Sequence, residues 1–416
     1  MRSKTLILIC NQFPFGHGET FISNEFNYLH SAFDKVVILS RTDETVQTRQ
    51  VPNDVELFKI SPKSNLFQKI KFLFILVSDR QRVKGLLKHE ESSVRSIFKK
   101  PATDSQKRKM KHDLFKALEI KNYIEKKIIP KTGTNVVVYS YWQNSSALSG
   151  VFLKQDKLCN QAISRAHRGD LYFDVQSDKY LSFRKYISEY SDKLFFIADD
   201  GKKYQSGLLG QKYLSFSVSK LGTEKVEESN NKKKEDNLVL VSCSNIIPVK
   251  RVHLIVEALS KLSEINIKWV HFGGGILEKE IKKQAEYLLS TKKNICYEFM
   301  GKTNNPLIHK YYAENHVDLF INVSESEGIP VSIMEAMSYN IPVIATNAGG
   351  SGEIVDNVCG RLIEKNISSD VLSTIISEEL NKKNKGLLAF DKWETYYCAE
   401  KNYTNFISEI KQLYEN

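Results

Sequence analysis

The strongest constraint on the fold is an alternation of short apolar runs with turn residues and then with apolar positions at helical spacing. Lys4 to Cys10 is a continuous apolar run, the pattern of a sheet strand covered on both faces. It leads into a Pro/Gly loop, Phe13 to Gly18, and then into Phe21, Ile22, Phe26 and Leu29 at helical intervals. The same unit recurs at Lys35–Leu39, Asn135–Tyr139, Ala162–Ala166 and Lys193–Ala198, which predicts a mostly parallel sheet. A polar stretch from Gly222 to Asp236 holds almost nothing that could be buried and reads as a linker. Strand candidates then resume at Leu238–Ser242, Ile267–Phe272, Ile295–Phe299, Asp318–Val323, Pro342–Thr346 and Gly360–Ile363, with helical segments between them. The expected fold is α/β, with two doubly wound Rossmann-like domains, residues 1–222 and 237–391, facing across a cleft and joined by residues 223–236. Residues 392–416, rich in aromatics at helical intervals, form a C-terminal helix expected to pack back across the junction.

Composition narrows the classes. The apolar runs Leu6–Cys10 and Phe72–Val77 fall far short of the ~20 residues that span a bilayer, and no cleavage site of a signal peptide follows the first. The six cysteines are dispersed singly, without the spacing of a zinc site, which suits a reduced cytoplasmic compartment. Net charge is +11. The excess lies in residues 1–200, with 33 basic against 22 acidic side chains, and is densest over residues 59–131, with 20 against 7. There the charges interleave with Leu66, Phe67, Ile70, Phe72, Leu73 and Phe74, a pattern that suits solvated helices, an anionic membrane surface or nucleic acid.

The window Phe320 to Val355 is the most informative. A strand ends at Val323, a loop carries Glu325, Glu327 and Gly328, and a helix begins near Pro330, where proline costs no hydrogen bond. Backbone N–H groups from Val331 to Met334 would then present a phosphate site. Glu327 and Glu335 flank it as acceptors for sugar hydroxyls. On spacing alone, the plainer reading is a carboxylate stabilising the helix start and an exposed helical residue.

The fixed offsets of Glu327, Glu335, Ala336, Met337, Pro342, Val343, Gly349, Gly350 and Glu353 resemble the donor-binding signature of the family 4 glycosyltransferases, which have the GT-B fold. The resemblance implies that Glu327, Gly328, Ile329, Pro330, Val331 and Ser332 contact the donor sugar and phosphates, and that Glu335 holds the ribose. It places a phosphate-binding lysine at Lys250 in SCSNIIPVKRV, where the family's usual arginine is replaced by Asn245 and its glycine by Arg251, so that Arg251 is a candidate substitute. Gly301, within Met300–Thr303, falls where the family's backbone reads the base. In the first domain, ISRAHRGDLY resembles the family's histidine motif, implying that His167 meets the donor near the reaction centre, with Arg165 and Arg168 beside it. FPFGHGETF resembles the family's glycine loop, carrying Gly16 and Gly18. Tyr141 and Trp142 stand either at an acceptor site or in the core.

The implied activity is retaining transfer of a sugar from a nucleotide diphosphate donor, a UDP-sugar ahead of GDP-mannose, to a hydroxyl of a lipid-linked or oligosaccharide acceptor in surface polysaccharide synthesis. His167, Glu327 and Lys250 would carry the catalysis. No cofactor and no metal are expected, because no Asp-x-Asp occurs. The residues 59–131 would rest on the inner face of the cell membrane. Rival readings are a GT-B epimerase or phosphorylase and, in another class, a basic nucleic-acid-binding protein; the second leaves the two-glutamate window without a use, and no nucleic-acid partner is expected.

Overall fold

A computed structural model describes residues 4–16, 18, 19, 21–63, 80–210, 213–225, 227, 232, 233, 236–382 and 385–415. His17 and the residues Leu66, Phe67, Ile70, Phe72, Leu73 and Phe74 of the basic stretch lie outside these. The chain divides into two compact units, one of residues up to Lys220 together with Tyr403 onward, the other Leu221–Asn402.

The first unit is built on seven parallel strands: β1 (Thr5–Cys10), β2 (Lys35–Ser40), β3 (Glu56–Lys59), β4 (Val136–Ser140), β5 (Gln161–Ala166), β6 (Lys193–Phe196) and β7 (Phe216–Val218), in the order β3-β2-β1-β4-β5-β6-β7. Side chains alternate across the sheet. Leu6, Leu8 and Cys10 pack with Phe26, Leu29 and Phe406, while Ile7 and Ile9 pack on the other face with Ile120, Ile124 and Ile128. Each such fully buried aliphatic side chain stabilises the fold by roughly 1.5–3 kcal/mol, which is why β1 reads as an unbroken apolar run. The second unit holds β8 (Leu238–Cys243), β9 (Ile267–Phe272), β10 (Ile295–Gly301), β11 (Leu319–Asn322), β12 (Val343–Thr346) and β13 (Gly360–Ile363), again parallel, in the order β10-β9-β8-β11-β12-β13.

Both orders reverse direction once, between β1 and β4 and between β8 and β11. The loops leaving the two central strands there diverge to opposite faces and open a crevice at the strands' carboxyl ends.

Several expectations are corrected. The outer strands β3 and β7 escape the sequence pattern because they are short edge strands with partly exposed faces. The C-terminal segment is two helices, Lys385–Tyr396 and Ala399–Glu415, rather than one. The break between them is held by Thr223, which the polar stretch had concealed. Thr223 is fully buried, its N–H donates to the Tyr397 carbonyl (2.9 Å), its own carbonyl accepts from Ala399 N–H (3.1 Å), and its hydroxyl accepts from the Trp393 indole (2.8 Å). Within the described part of the basic stretch, Val83, Leu86, Val94, Met110, Leu114 and Leu118 are core residues packed with Leu148, Phe152 and Phe196. Among the described residues no helix is long and apolar enough to cross a membrane.

Candidate functional site

The β8/β11 switch point carries a pocket of about 310 Å³ lined by Asn245, Lys250, Glu327 and the segment Ile329–Ser332, with Lys302 and Thr303 on its rim. Lys250 closes a short helical turn, Pro248–Lys250, in the loop after β8; Glu327 lies in the loop after β11. Their side chains meet, with Lys250 Nζ 2.6 Å from Glu327 Oε1, which also accepts from Asn322 Nδ2 at 3.2 Å. The two loops are tied by the Glu325 N–H, which donates to the Val249 carbonyl at 2.8 Å.

Glycines bring both loops close to the backbone behind them. A Cβ at Gly349, whose φ is +56°, would lie 1.9 Å from the Glu327 carbonyl oxygen, and one at Gly350 would lie 2.6 Å from that of Gly328, which accepts from Gly350 N–H at 2.7 Å. Gly273 stands in the same relation to the loop after β8, its Cβ position 1.9 Å from the Ser244 carbonyl oxygen. The Gly-Gly turn of the sequence window therefore presses the Glu327 loop into place.

Of the residues singled out in the second domain, Asn245, Lys250, Glu327, Ile329, Pro330, Val331 and Ser332 line this one pocket. Pro330 caps the helix Val331–Met337 rather than opening it. Gly328, Gly301 and Glu335 are not among the lining residues. Gly301 accepts from Gly273 N–H at 2.8 Å. Glu335 is buried and accepts from Asn305 Nδ2 at 2.9 Å. The pocket-lining Cys243 thiol feels both charges: burial pushes it up to about 12, with Glu335 adding and Lys250 opposing.

Arg251 does not substitute for the missing arginine. In left-handed backbone (φ 50°), it turns from the pocket and donates from Nε to the Val323 carbonyl (2.8 Å) and from its terminal nitrogen to the Lys365 carbonyl, bracing the chain behind the site. The second cation at the pocket is Lys302, which sequence reasoning missed although it adjoins Gly301. Among the described residues no three His, Cys, Asp or Glu side chains gather as a metal site.

In the first unit, His167 follows β5 and is nearly buried, stacked on Tyr141 (4.8 Å between ring centres) with Trp142 at 4.7 Å and Phe21 at 5.7 Å. Burial, reinforced by the Arg165 charge, holds its pKa well below the usual value, so the ring is neutral. Neither ring nitrogen has a partner among the described residues. Arg168 opens the short helix Arg168–Leu171 and is half-buried.

Two acceptor-side expectations are corrected. Tyr141 and Arg165 are fully buried. Arg165 pairs with the equally buried Glu25 at 3.0 Å and lies over the Phe406 ring at 4.4 Å, while Tyr139 donates to Glu25 at 2.9 Å. The low dielectric of the core strengthens the attraction between Arg165 and Glu25, and full burial keeps both out of a ligand's reach. The glycine loop is organised by Glu19, whose carboxylate accepts from the backbone N–H groups of Asn11 (2.9 Å), Gln12 and Phe13 (2.8 Å) and from the Trp142 indole. Gly16 takes a left-handed φ of 60°, and Gly18 N–H donates to the Gln12 side chain at 2.8 Å. The loop's anion-binding backbone thus holds a carboxylate of its own chain.

Two parallel-sheet Rossmann-like domains with a pocket at the switch point define the GT-B class of fold, and solved structures agree. A crystal structure of a glycosyltransferase from Rickettsia africae ESF-5 matches with a TM-score of 0.67 at 15% identity, covering 100% of both chains. Anabaena HepE in complex with UDP and glucose matches with a TM-score of 0.62 at 15% identity, covering 99% of this chain and 100% of that one. More narrowly, residues 223–387, within the second unit, match the family described as Glycosyl transferases group 1. The O-antigen biosynthesis glycosyltransferase WbnH of Escherichia coli is 26% identical over 223 residues, which make up 52% of this chain and span 61% of that protein.

Proposed function

We propose that the protein is a retaining glycosyltransferase that moves a sugar from a nucleotide diphosphate sugar, with a UDP-sugar as first choice, to a hydroxyl of a lipid-linked or oligosaccharide acceptor in surface polysaccharide synthesis. The observation that carries this reading is the Lys250–Glu327 contact inside the pocket at the β8/β11 switch point. An incoming diphosphate competes with Glu327 for Lys250. Once Lys250 turns to the phosphates, the Glu327 carboxylate is free to accept from the sugar hydroxyls, so the resting ion pair keeps both groups oriented without a ligand. As the glycosidic C–O bond to the diphosphate breaks, negative charge grows on the leaving oxygen, and Lys250 with Lys302 stabilises it more than the ground state. No carboxylate nucleophile enters this scheme; the acceptor oxygen attacks from the face the diphosphate leaves, and its proton passes to the departing phosphate. His167, neutral in the first unit, can supply a hydrogen bond but not a charge. The basic first unit is proposed to work on the inner face of an anionic membrane.

Calorimetry with UDP and GDP, followed by transfer assays from radiolabelled donors to membrane lipids, tests this. Lys250→Ala is expected to weaken nucleoside diphosphate binding by about tenfold or more, the worth of a charge-assisted hydrogen bond. Glu327→Gln is expected to keep UDP binding and lose most of the transfer rate. Absence of binding and transfer across the common donors overturns the reading.

A further inference from the structure

The first unit has a crevice of its own at the β1/β4 switch point, a pocket of about 340 Å³. Asn11, from the loop after β1, and Asn144 and Ser145, from the loop after β4, line it, and Asp170 brings in the loop that carries His167. Its wall holds four cationic side chains, Arg41, Lys109, Lys116 and Arg184, against two carboxylates, Asp113 and Asp170, a formal excess of two positive charges.

We propose that this pocket binds a phosphate or diphosphate ester, the anionic group of the acceptor. Only the word acceptor rests on the glycosyltransferase reading; the anion site rests on the residues.

The two guanidinium groups carry the argument. Arg184 is 2% exposed; its terminal nitrogen donates to the Gln143 carbonyl, and its buried Nε has no partner. Arg41 is half-buried and donates to neutral groups, Ser146 Oγ at 3.0 Å and Asn144 Oδ1 at 3.5 Å. Among the described residues neither arginine makes an ion pair. Carboxylates act on them only from beyond ion-pair distance, Asp170, Asp113 and Glu90 on Arg184 and Asp113, Glu119 and Glu19 on Arg41, and burial still lowers both guanidinium pKa values, a cost that a bound anion offsets.

The carboxylates on the wall are already engaged. Asp170 accepts from the backbone N–H groups of His167 (2.6 Å) and Gln143, and Asp113 accepts from the Ser182 hydroxyl. The lysines are partly neutralised, Lys116 by Glu119 at 3.1 Å and Lys109 by Asp178 at 3.9 Å. What remains is a pair of planar forks beside the N-terminal end of the 11-residue helix Ser145–Gln155. Two guanidinium forks suit a tetrahedral oxyanion, which has enough acceptor oxygens to meet both at once, better than a single carboxylate.

The test is calorimetry on the full chain with inorganic pyrophosphate, a sugar 1-phosphate and a short-chain prenyl diphosphate, each with and without saturating UDP. The wild type is expected to bind at least one of them in the presence of UDP. Arg41→Gln should weaken that binding by about tenfold or more while leaving UDP affinity unchanged. Arg184→Lys, which keeps the charge and removes the fork, should weaken it too, with the thermal unfolding midpoint reporting that each variant is folded. Tighter binding of the prenyl diphosphate identifies a lipid-linked source, and tighter binding of the sugar phosphate a soluble one. If saturating UDP abolishes all binding, or if Arg41→Gln leaves it intact, the proposal falls. If UDP and GDP do not bind but pyrophosphate binds in an Arg41-dependent way, the anion site stands and the donor reading falls.

Discussion

Lys250 and Glu327 are 77 positions apart in the sequence and reach each other because their strands, β8 and β11, are sheet neighbours. At the scale of single residues, what was legible was chemistry attached to a motif. Lys250, Glu327 and the lining Ile329–Ser332 stood at recognisable offsets. Arg251 was legible as a cation, but its direction was not, because a left-handed residue sends its side chain where no helical or strand periodicity points. Glu19 and Arg184 carried no signal: one acts through three backbone donors and the other through a carbonyl, partners that sequence does not mark.

Glu90 offers a test at this scale. It is buried, accepts from Tyr180 and from Phe183 N–H at 2.8 Å, and burial raises its pKa from 4.5 to about 7. Between those values the folded chain keeps a proton that the unfolded chain has released, so the contribution of Glu90 to stability is present below about pH 4.5 and is lost as pH rises through about 7. Glu90→Gln removes this dependence. Relative to the wild type, the variant is expected to gain on the order of 3 kcal/mol between about pH 5 and pH 8. Denaturant unfolding at the two pH values measures it, and an equal difference at both sinks the assignment.

At the scale of elements, the loops that form the second unit's pocket press on the backbones of neighbouring loops through glycines, which leaves no room for side chains there. Gly349→Ala places a methyl group 1.9 Å from the Glu327 carbonyl oxygen at a φ of +56°. The left-handed conformation costs roughly 1–2 kcal/mol in an L-residue, and the overlap typically about 1–3 kcal/mol more. The variant is expected to lose that much stability and to weaken UDP binding by moving Glu327 away from Lys250. Gly85→Ala is the control. Gly85 lies on an exposed face of the helix Arg80–Phe98 with nothing within 4 Å of a Cβ, so the change is expected to be stabilising by about 0.5–1 kcal/mol. Thermal unfolding of the pair decides whether close approach or loss of glycine itself matters. Elements covered on both faces, such as β1, were legible as apolar runs. β3 and β7 were not, because a half-exposed edge strand needs no such run.

At the scale of the whole molecule, charge is divided unevenly: residues 201–416 hold 27 basic and 27 acidic side chains, so the net excess belongs to the first 200 residues. Among the described residues of the basic stretch, Val83, Leu86, Val94, Met110, Leu114 and Leu118 are committed to the core, so the described part offers a membrane mainly its surface lysines and arginines. Binding to anionic liposomes should therefore be electrostatic, present at low ionic strength and lost as the Debye length shrinks from about 30 Å at 0.01 M to about 8 Å at 0.15 M salt. Sedimentation across that range measures it; binding that persists undiminished contradicts a purely electrostatic contact, and none at low salt favours a soluble acceptor.

The last helix, Ala399–Glu415, carries a consequence for biosynthesis. Phe406, Ile407 and Ile410 complete the core around β1 and β4, yet they are translated after the whole of Leu221–Asn402. The second unit is contiguous and needs no later segment to complete its core. The first must wait with an unfilled apolar groove until the segment that fills it has been made, so the half of the protein synthesised first is the half that finishes folding last.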